Sequence, residues 1–177
     1  MRRVSLYIAS SLDGFIARSD GSIDWLLPYQ NAAGEDYGYA DFMRTVDTQL
    51  VGWNTYAQIT KLGRYPHEGK SVVVFSHARG GTQDGNVRFV AGDCRQIVQT
   101  LRSAPGKGIW LVGGADLIGQ CLEGRLVDEL ILTIIPCLLG SGIRLFQPRS
   151  SENPAKLQRV ESFANGIVQL SYSFTSE

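Results

Sequence analysis

With 177 residues, 17 Lys and Arg against 17 Asp and Glu, and a formal net charge of zero, the chain has no electrostatic pull toward nucleic acid or an anionic membrane, so a small-molecule partner is expected. The length is enough to bury one substantial core and no Pro- or Ser-rich linker interrupts it, so residues 1–177 are expected to form a single domain. No apolar run approaches ~18 residues and no export signal precedes the first strand, which points to a cytoplasmic protein.

Val4, Leu6 and Ile8 alternate with Ser5 and Tyr7, the pattern of a half-buried strand, which ends at Ala9-Ser10-Ser11. Two Asp-Gly turns, at Asp13 and Asp20, then punctuate a stretch anchored by Phe15, Ile16 and Trp25, so a long structured loop is expected. Asp13 and Asp24 are candidate functional acids, although an Asp before Gly also serves simply as a turn residue. From Glu35 to Asp47 the spacing of Tyr39, Phe42, Met43 and Val46 predicts a helix, with Glu35 and Asp36 at its N-terminal end.

Gln49 to Gly52 reads as a short strand passing into a helix with Asn54 or Thr55 as its cap. Val72 to Phe75 is a β-branched run suited to burial on both faces, and Ser76-His77-Ala78-Arg79 follows it. A hydroxyl, an imidazole and a guanidinium just past a strand end suit phosphate, with Arg79 able to bond in two places, but such loops are also merely polar. Val87 to Val90 is a further strand. Asp93 then caps a helix running to Leu101, with Gln96 at capping-box spacing.

Trp110 to Val112 forms a strand that stops at Gly113-Gly114, and Leu117, Ile118, Cys121 and Leu122 then recur at helical spacing from about Ala115. Without Cβ atoms the glycine pair lets a ligand lie against the main chain, where a helix start favours an anion. The alternative is that the pair only lets strand and helix pack closely. Leu130 to Ile135 is an inner strand ended by Pro136, and a loop with Gly140, Gly142, Leu145 and Phe146 follows. Asn165-Gly166 between Val160–Phe163 and Val168–Phe174 predicts a hairpin with a two-residue type I′ turn. Cys94, Cys121 and Cys137 suit reduced thiols better than a disulfide frame, and with His67 and His77 as the only histidines no metal site is expected.

The ordered set Ala9-Ser-Ser-Leu-Asp-Gly-Phe-Ile16, Gly52-Trp-Asn-Thr55, Phe75-Ser76, Val112-Gly-Gly-Ala115, Leu132-Thr133 and Gly140-Ser-Gly142 with Leu145-Phe146 resembles the dihydrofolate reductase fold. More narrowly, it resembles the reductase domain of the bifunctional deaminase-reductase of riboflavin biosynthesis and its stand-alone relatives. The resemblance covers nearly the whole chain. It implies an α/β, three-layer fold with a mostly parallel central sheet, an antiparallel C-terminal hairpin, and NADPH lying across the strand ends. By the same resemblance Gly113, Gly114 and Ala115 contact the pyrophosphate, often through a cis Gly-Gly peptide, with Leu117 and Ile118 lining the site. Gly52, Trp53, Asn54 and Thr55 meet its other side, Ser76, His77 and Arg79 surround the adenosine 2′-phosphate, and Ala9, Ser10 and Ile16 flank the nicotinamide.

Three departures narrow the reading. Dihydrofolate reductases proper place an acid four positions before a helical phenylalanine, and counting back from Phe42 that position is Gly38. At the position after the glycine of the Gly-Trp-Asn-Thr segment, where a basic residue is usual, this chain has Trp53, which shifts 2′-phosphate recognition onto Arg79. The zinc-deaminase clusters of the bifunctional enzyme are missing. The expected activity is hydride transfer from NADPH to a small carbonyl or imine substrate, with Asp13, Asp24 and Thr133 as candidate substrate contacts. A true dihydrofolate reductase and a non-catalytic nucleotide-binding module are the alternatives. Such relatives commonly form homodimers, and Val168, Leu170, Tyr172 and Phe174 on one face of the hairpin offer an apolar surface for it.

Overall fold

The alternating residues of Val4–Ser11 form β1, the strand around which a nine-stranded sheet is laid out in a computed structural model. The structure describes all residues except 31–33, 62, 64, 66–68, 150–151 and 175–177, so the expectation for His67 lies outside the described residues. In chain order the strands are β1, β2 (Phe15–Ala17), β3 (Val46–Gly52), β4 (Ser71–Phe75), β5 (Gln83–Asp84), β6 (Val87–Val90), β7 (Gly108–Gly113), β8 (Glu129–Ile135), β9 (Ile143–Arg144), β10 (Ala155–Ser162) and β11 (Val168–Phe174). Helices α1 (Tyr39–Thr45), α2 (Trp53–Lys61), α3 (Cys94–Ser103) and α4 (Ala115–Glu123) connect them, with a 3₁₀ helix over Asp24–Tyr29. The large sheet runs β10-β11-β8-β1-β7-β3-β4-β6-β5, and the separate pair is β2-β9. From β8 to β6 every neighbour is parallel, whereas β11, β10 and β5 join antiparallel.

Strand alternation divides the core into two layers. Leu6, Leu50, Val73 and Leu111 pack on one face with Cys94, Val98, Ile118 and Cys121 of α3 and α4. Val51, Val72 and Val74 pack on the opposite face with Tyr56 of α2, while Tyr7, Trp110 and Ile131 meet Phe42 and Met43 of α1. The three-layer mostly parallel arrangement expected from the sequence is therefore present. On the α3–α4 side the covering layer stops short, and Leu130, Leu132, Leu170, Tyr172 and Phe174 line a groove of about 400 Å³ instead.

Several local expectations are corrected. The helix foreseen over 35–47 is confined to Tyr39–Thr45, because Tyr37 and Gly38 take left-handed φ values of 56° and 81° and Val46 turns extended to open β3. Asp36 still serves the helix start: its carboxylate accepts from Gly38 N at 2.9 Å and Ala40 N at 3.0 Å. Helix α2 begins at Trp53, so Asn54 and Thr55 lie inside its first turn and do not cap it. Asp93 caps α3 as expected, accepting from Arg95 N.

The hairpin turn is longer than expected. Gly166 N donates to Phe163 O and Phe163 N to Ile167 O, both at 2.9 Å, and Gly166 alone of Asn165-Gly166 has a positive φ, 86°. This is a three-residue loop of a type I turn closed by a left-handed glycine. Asn165 stays out of the left-handed region because its side chain is used: Nδ2 donates to the Tyr37 hydroxyl at 2.7 Å. All three cysteines are free, but Cys94 and Cys121, distant in sequence, meet with their sulfurs 3.6 Å apart.

Candidate functional site

Because β1, β7, β3 and β4 are neighbours and parallel, their C-terminal ends lie side by side along one edge of the sheet. That edge collects Ser10-Ser11, Gly113-Gly114, Gly52 and Phe75-Ser76, four segments separated by dozens of residues in the chain. In open parallel sheets such an edge is where ligands are held.

At its centre two strand-to-helix junctions face each other. The peptide Gly113–Gly114 is cis, and Gly113 has φ 115°. A Cβ on Gly52 would stand 3.3 Å from Gly114 N, and one on Gly114 would stand 2.9 Å from Thr55 Oγ1. The three glycines thus keep the main chains of the two junctions in close approach, with Thr55 beside them. Helices α2 and α4 both begin here, and the cap of α4 at Gly114 uses no side chain, which leaves first-turn N–H groups available to an anion. Ala115 is buried at the start of α4. Leu117 and Ile118, expected to line the site, are 4% and 0% exposed, and Ile118 Cδ1 lies 3.2 Å from where a Gly113 Cβ would be. Their place is the core beneath the glycine pair.

At one end of the cradle Trp53, 39% exposed, stands at the head of α2. The Arg79 guanidinium lies 3.8 Å from the ring centre of buried Phe89 and 5.9 Å from that of Trp53. Its loop is fixed: Thr82 Oγ1 donates to Arg79 O at 2.7 Å, and a Cβ on Gly80 would come within 2.5 Å of Ala91 Cβ. Arg79 makes no ion pair among the described residues, so its charge faces solvent free to meet an anion. Ser76 is buried, with its N–H donating to Val90 O at 2.8 Å, whereas His77 is exposed.

The other end is built by β1, β8 and β11, where Ala9, Thr133 and Gln169 stand in register across three strands. Gln169 Nε2 donates to Thr133 Oγ1 at 3.0 Å and to Tyr37 O at 3.1 Å. Tyr37 O also accepts from the Tyr7 hydroxyl, and the Tyr37 hydroxyl donates to Tyr29 O at 2.9 Å. Burial pushes the Tyr7 hydroxyl pKa up, so it stays a neutral donor. This network holds Tyr37 in its left-handed conformation. Trp25 packs alongside with its buried indole N–H unpartnered among the described residues. Ser10 is buried, donating to Ser11 O, and Ile16 lies half-buried on β2. Tyr37, Gln169 and Trp25 were not foreseen as site residues. Gln169 was recoverable from the hairpin register, but no pattern marks Tyr37.

Both candidate acids make structural bonds. Asp13 accepts from Ser11 Oγ at 2.6 Å, Leu139 N at 3.1 Å and Gly140 N at 2.7 Å, and these bonds, the hydroxyl first, hold its pKa down at about 2. It ties the loop after β1 to the loop after β8. Asp24 pairs with Arg18 at 2.6 Å in solvent, which lowers its pKa. Asp13 thus stands just past the C-terminal ends of β1 and β8, Asp24 lies at the start of the 3₁₀ helix, and on α1 Asp41 pairs outward with Arg44. Asp36 is engaged at the start of α1. The described residues hold no cluster of three or more His, Cys, Asp or Glu suited to a metal ion, and no helix long and apolar enough to cross a membrane.

Comparison with known proteins agrees with this geometry. Residues 2–169 match the family described as RibD C-terminal domain. The chain is 40% identical to uncharacterized protein YwjB of Bacillus subtilis (strain 168) over 172 residues, covering 97% of each. It is 33% identical to uncharacterized protein YyaP of the same organism, covering 97% of this chain and 94% of that one. The crystal structure of a putative riboflavin biosynthesis protein from Shewanella sp. PV-4 superposes with a TM-score of 0.86 at 29% identity, over 99% of this chain and all (100%) of that one. The diaminohydroxyphosphoribosylaminopyrimidine deaminase/5-amino-6-(5-phosphoribosylamino)uracil reductase of Thermotoga maritima shares the fold, with a TM-score of 0.74 at 18% identity over 98% of this chain and 57% of that protein.

Proposed function

Since this chain belongs to the RibD C-terminal domain family, a family of riboflavin-pathway reductases, we propose that it is an NADPH-dependent reductase acting on a ribosylamino-pyrimidine such as 5-amino-6-(5-phosphoribosylamino)uracil or a related small carbonyl or imine compound. The observation that carries the reading is the apposition of Gly52 with Gly113-Gly114 at the starts of α2 and α4. A cradle of bare backbone between two helix N-termini suits a dinucleotide pyrophosphate in shape and charge. When bound, NADPH supplies the hydride.

The chain's own residues supply binding and orientation. Gly52, Gly113, Gly114 and Thr55 hold the pyrophosphate, Arg79 meets the 2′-phosphate, and Trp53 flanks Arg79. Ala9, Ser10 and Ile16 form the nicotinamide end. Thr133 is the substrate contact that the geometry favours: its Oγ1 accepts from Gln169, so its own proton is left to orient a substrate oxygen or nitrogen. The proton of the reaction comes from solvent, relayed by an acid such as Asp13 just past the end of β1. The test is NADPH oxidation followed by absorbance with a panel of ribosylamino-pyrimidine, pterin and small carbonyl substrates. Turnover of the pyrimidine supports the reading. Turnover of dihydrofolate alone, or NADPH binding without turnover of any member, refutes it.

The same reading places the protein in the cytoplasm and pairs it with a second copy. Leu130, Tyr172 and Leu157 form one cross-strand row, and Leu132, Leu170 and Val160 form the next. Leu157 and Val160 are 49% and 56% exposed, and Phe146 at 49% flanks them. An apolar strip of this extent beside the open edge strand β10, on a chain of zero net charge, favours self-association. Light scattering at micromolar concentration is expected to give twice the 19.4 kDa of one chain, and a monomer mass held as concentration rises refutes the pairing.

A further inference from the structure

Helix α4, which carries the glycine cradle at its start, has a second glycine in its interior. Gly119 costs the helix backbone entropy, so a packing reason is expected for it. The reason is Arg149. A Cβ on Gly119 would fall on the Arg149 guanidinium, with Nη2 at 2.5 Å. Lying flat on the bare helix backbone, Arg149 donates from Nη1 to Glu123 Oε2 at 2.8 Å and from Nη2 to Asp116 Oδ1 at 3.2 Å, one turn to either side of Gly119. Its side chain is 22% exposed and its Nε is buried.

What Arg149 fastens is the segment that carries β9. Three exposed residues, Phe146 to Pro148, separate it from Leu145, which is 1% exposed in the core and whose N–H donates to Gly14 O at 2.9 Å. Upstream, β9 pairs with β2 through Phe15 opposite Arg144 and Ala17 opposite Ile143, and Gly142 lies bare against Ala17 O. From α4 the chain thus runs through Arg149, a three-residue exposed link and buried Leu145 to β9, which pairs with the strand that holds Ile16.

We propose that Arg149, seated on Gly119, is a positioning residue of the site: it latches the β9 segment to α4 and thereby holds β2 at the nicotinamide end in fixed relation to the pyrophosphate cradle. This rests on the reductase reading given above. Only arginine spans both carboxylates while lying flat on a helix, and only glycine leaves the space for it.

Two variants test the latch from opposite sides. Arg149→Leu removes the guanidinium, and Gly119→Ala displaces it while keeping the charge and improving helix propensity. In both, without cofactor, hydrogen exchange at the Leu145 amide is expected to speed up about tenfold, while amides of β8 and α3 hold their rates. With NADPH added, the emission of the bound nicotinamide is expected to fall toward that of free NADPH in both variants, a signal that simple loss of stability does not move while the protein remains folded. Unchanged Leu145 exchange overturns the latch, and faster exchange with native nicotinamide emission overturns the positioning role. Failure of the native chain to bind NADPH refutes the reductase reading and the positioning role with it, a result distinct from native binding with unchanged exchange.

Discussion

Replacing Arg79 with alanine separates recognition of the 2′-phosphate from recognition of the rest of the dinucleotide. The guanidinium sits 3.8 Å above Phe89, close to Trp53, with no carboxylate partner among the described residues, so it is held in place without being neutralised. One charge-assisted bond to a phosphate is worth about 1.5 to 3 kcal/mol, which converts to about a 10- to 150-fold loss of NADPH affinity. NADH lacks that phosphate and is expected to change less than about twofold. The same substitution removes an exposed cation–π contact worth about 0.5 to 1 kcal/mol, so stability should fall only slightly. Calorimetric titration with both nucleotides, beside a thermal melt, reads all three quantities. Equal losses for NADPH and NADH would refute the assignment of the 2′-phosphate to Arg79.

Gly114→Val should abolish NADPH binding in a protein that still folds, because φ at Gly114 is −81°, open to any L residue, while the added methyls occupy the cradle beside Thr55; retained affinity in calorimetry would contradict this. Gln169→Leu should cost about 1 to 3 kcal/mol in urea denaturation, since it strips a buried donor from Tyr37 O and Thr133 Oγ1, and a neutral result would show the network to be dispensable. Asp13 has a folded pKa of about 2, below its unfolded value, so its tether contributes fully above about pH 4 and is lost as pH falls through 2. The melting-temperature gap between the native protein and Asp13→Asn should accordingly close between about pH 4 and pH 2, and a gap constant across that range would count against the tether.

Much of the fold was legible because its signals are local and strong. Alternation in Val4 to Ile8, the β-branched run Val72 to Val74 and the glycine pair between strand and helix each mark their own structure, and the ordered motifs along the chain marked the family. What was missed depends on contacts between distant segments. The start of α1 could not be read from apolar spacing alone, since the left-handed turn at Tyr37-Gly38 is held by Tyr7, Gln169 and Asn165 from three other elements. The same contacts explain the hairpin turn, where Asn165 is occupied by Tyr37. Asp13 looked like chemistry because it is an acid in a glycine-rich loop. Its carboxylate also accepts two bonds from a loop about 125 residues later in the chain, partners that no local pattern reveals.

The central claim is that a nicotinamide dinucleotide lies across the junctions at Gly52 and Gly113-Gly114. Titration of the isotopically labelled native protein with NADPH, followed by amide chemical shifts, tests it most directly. Saturable binding of one NADPH per chain, with the largest shifts at Gly52, Thr55, Gly113, Gly114 and Ala115 and a second group at Arg79, is the expected result. Absence of binding, or shifts centred on the apolar groove around Leu170 and Tyr172 with the glycine junctions unmoved, would contradict it.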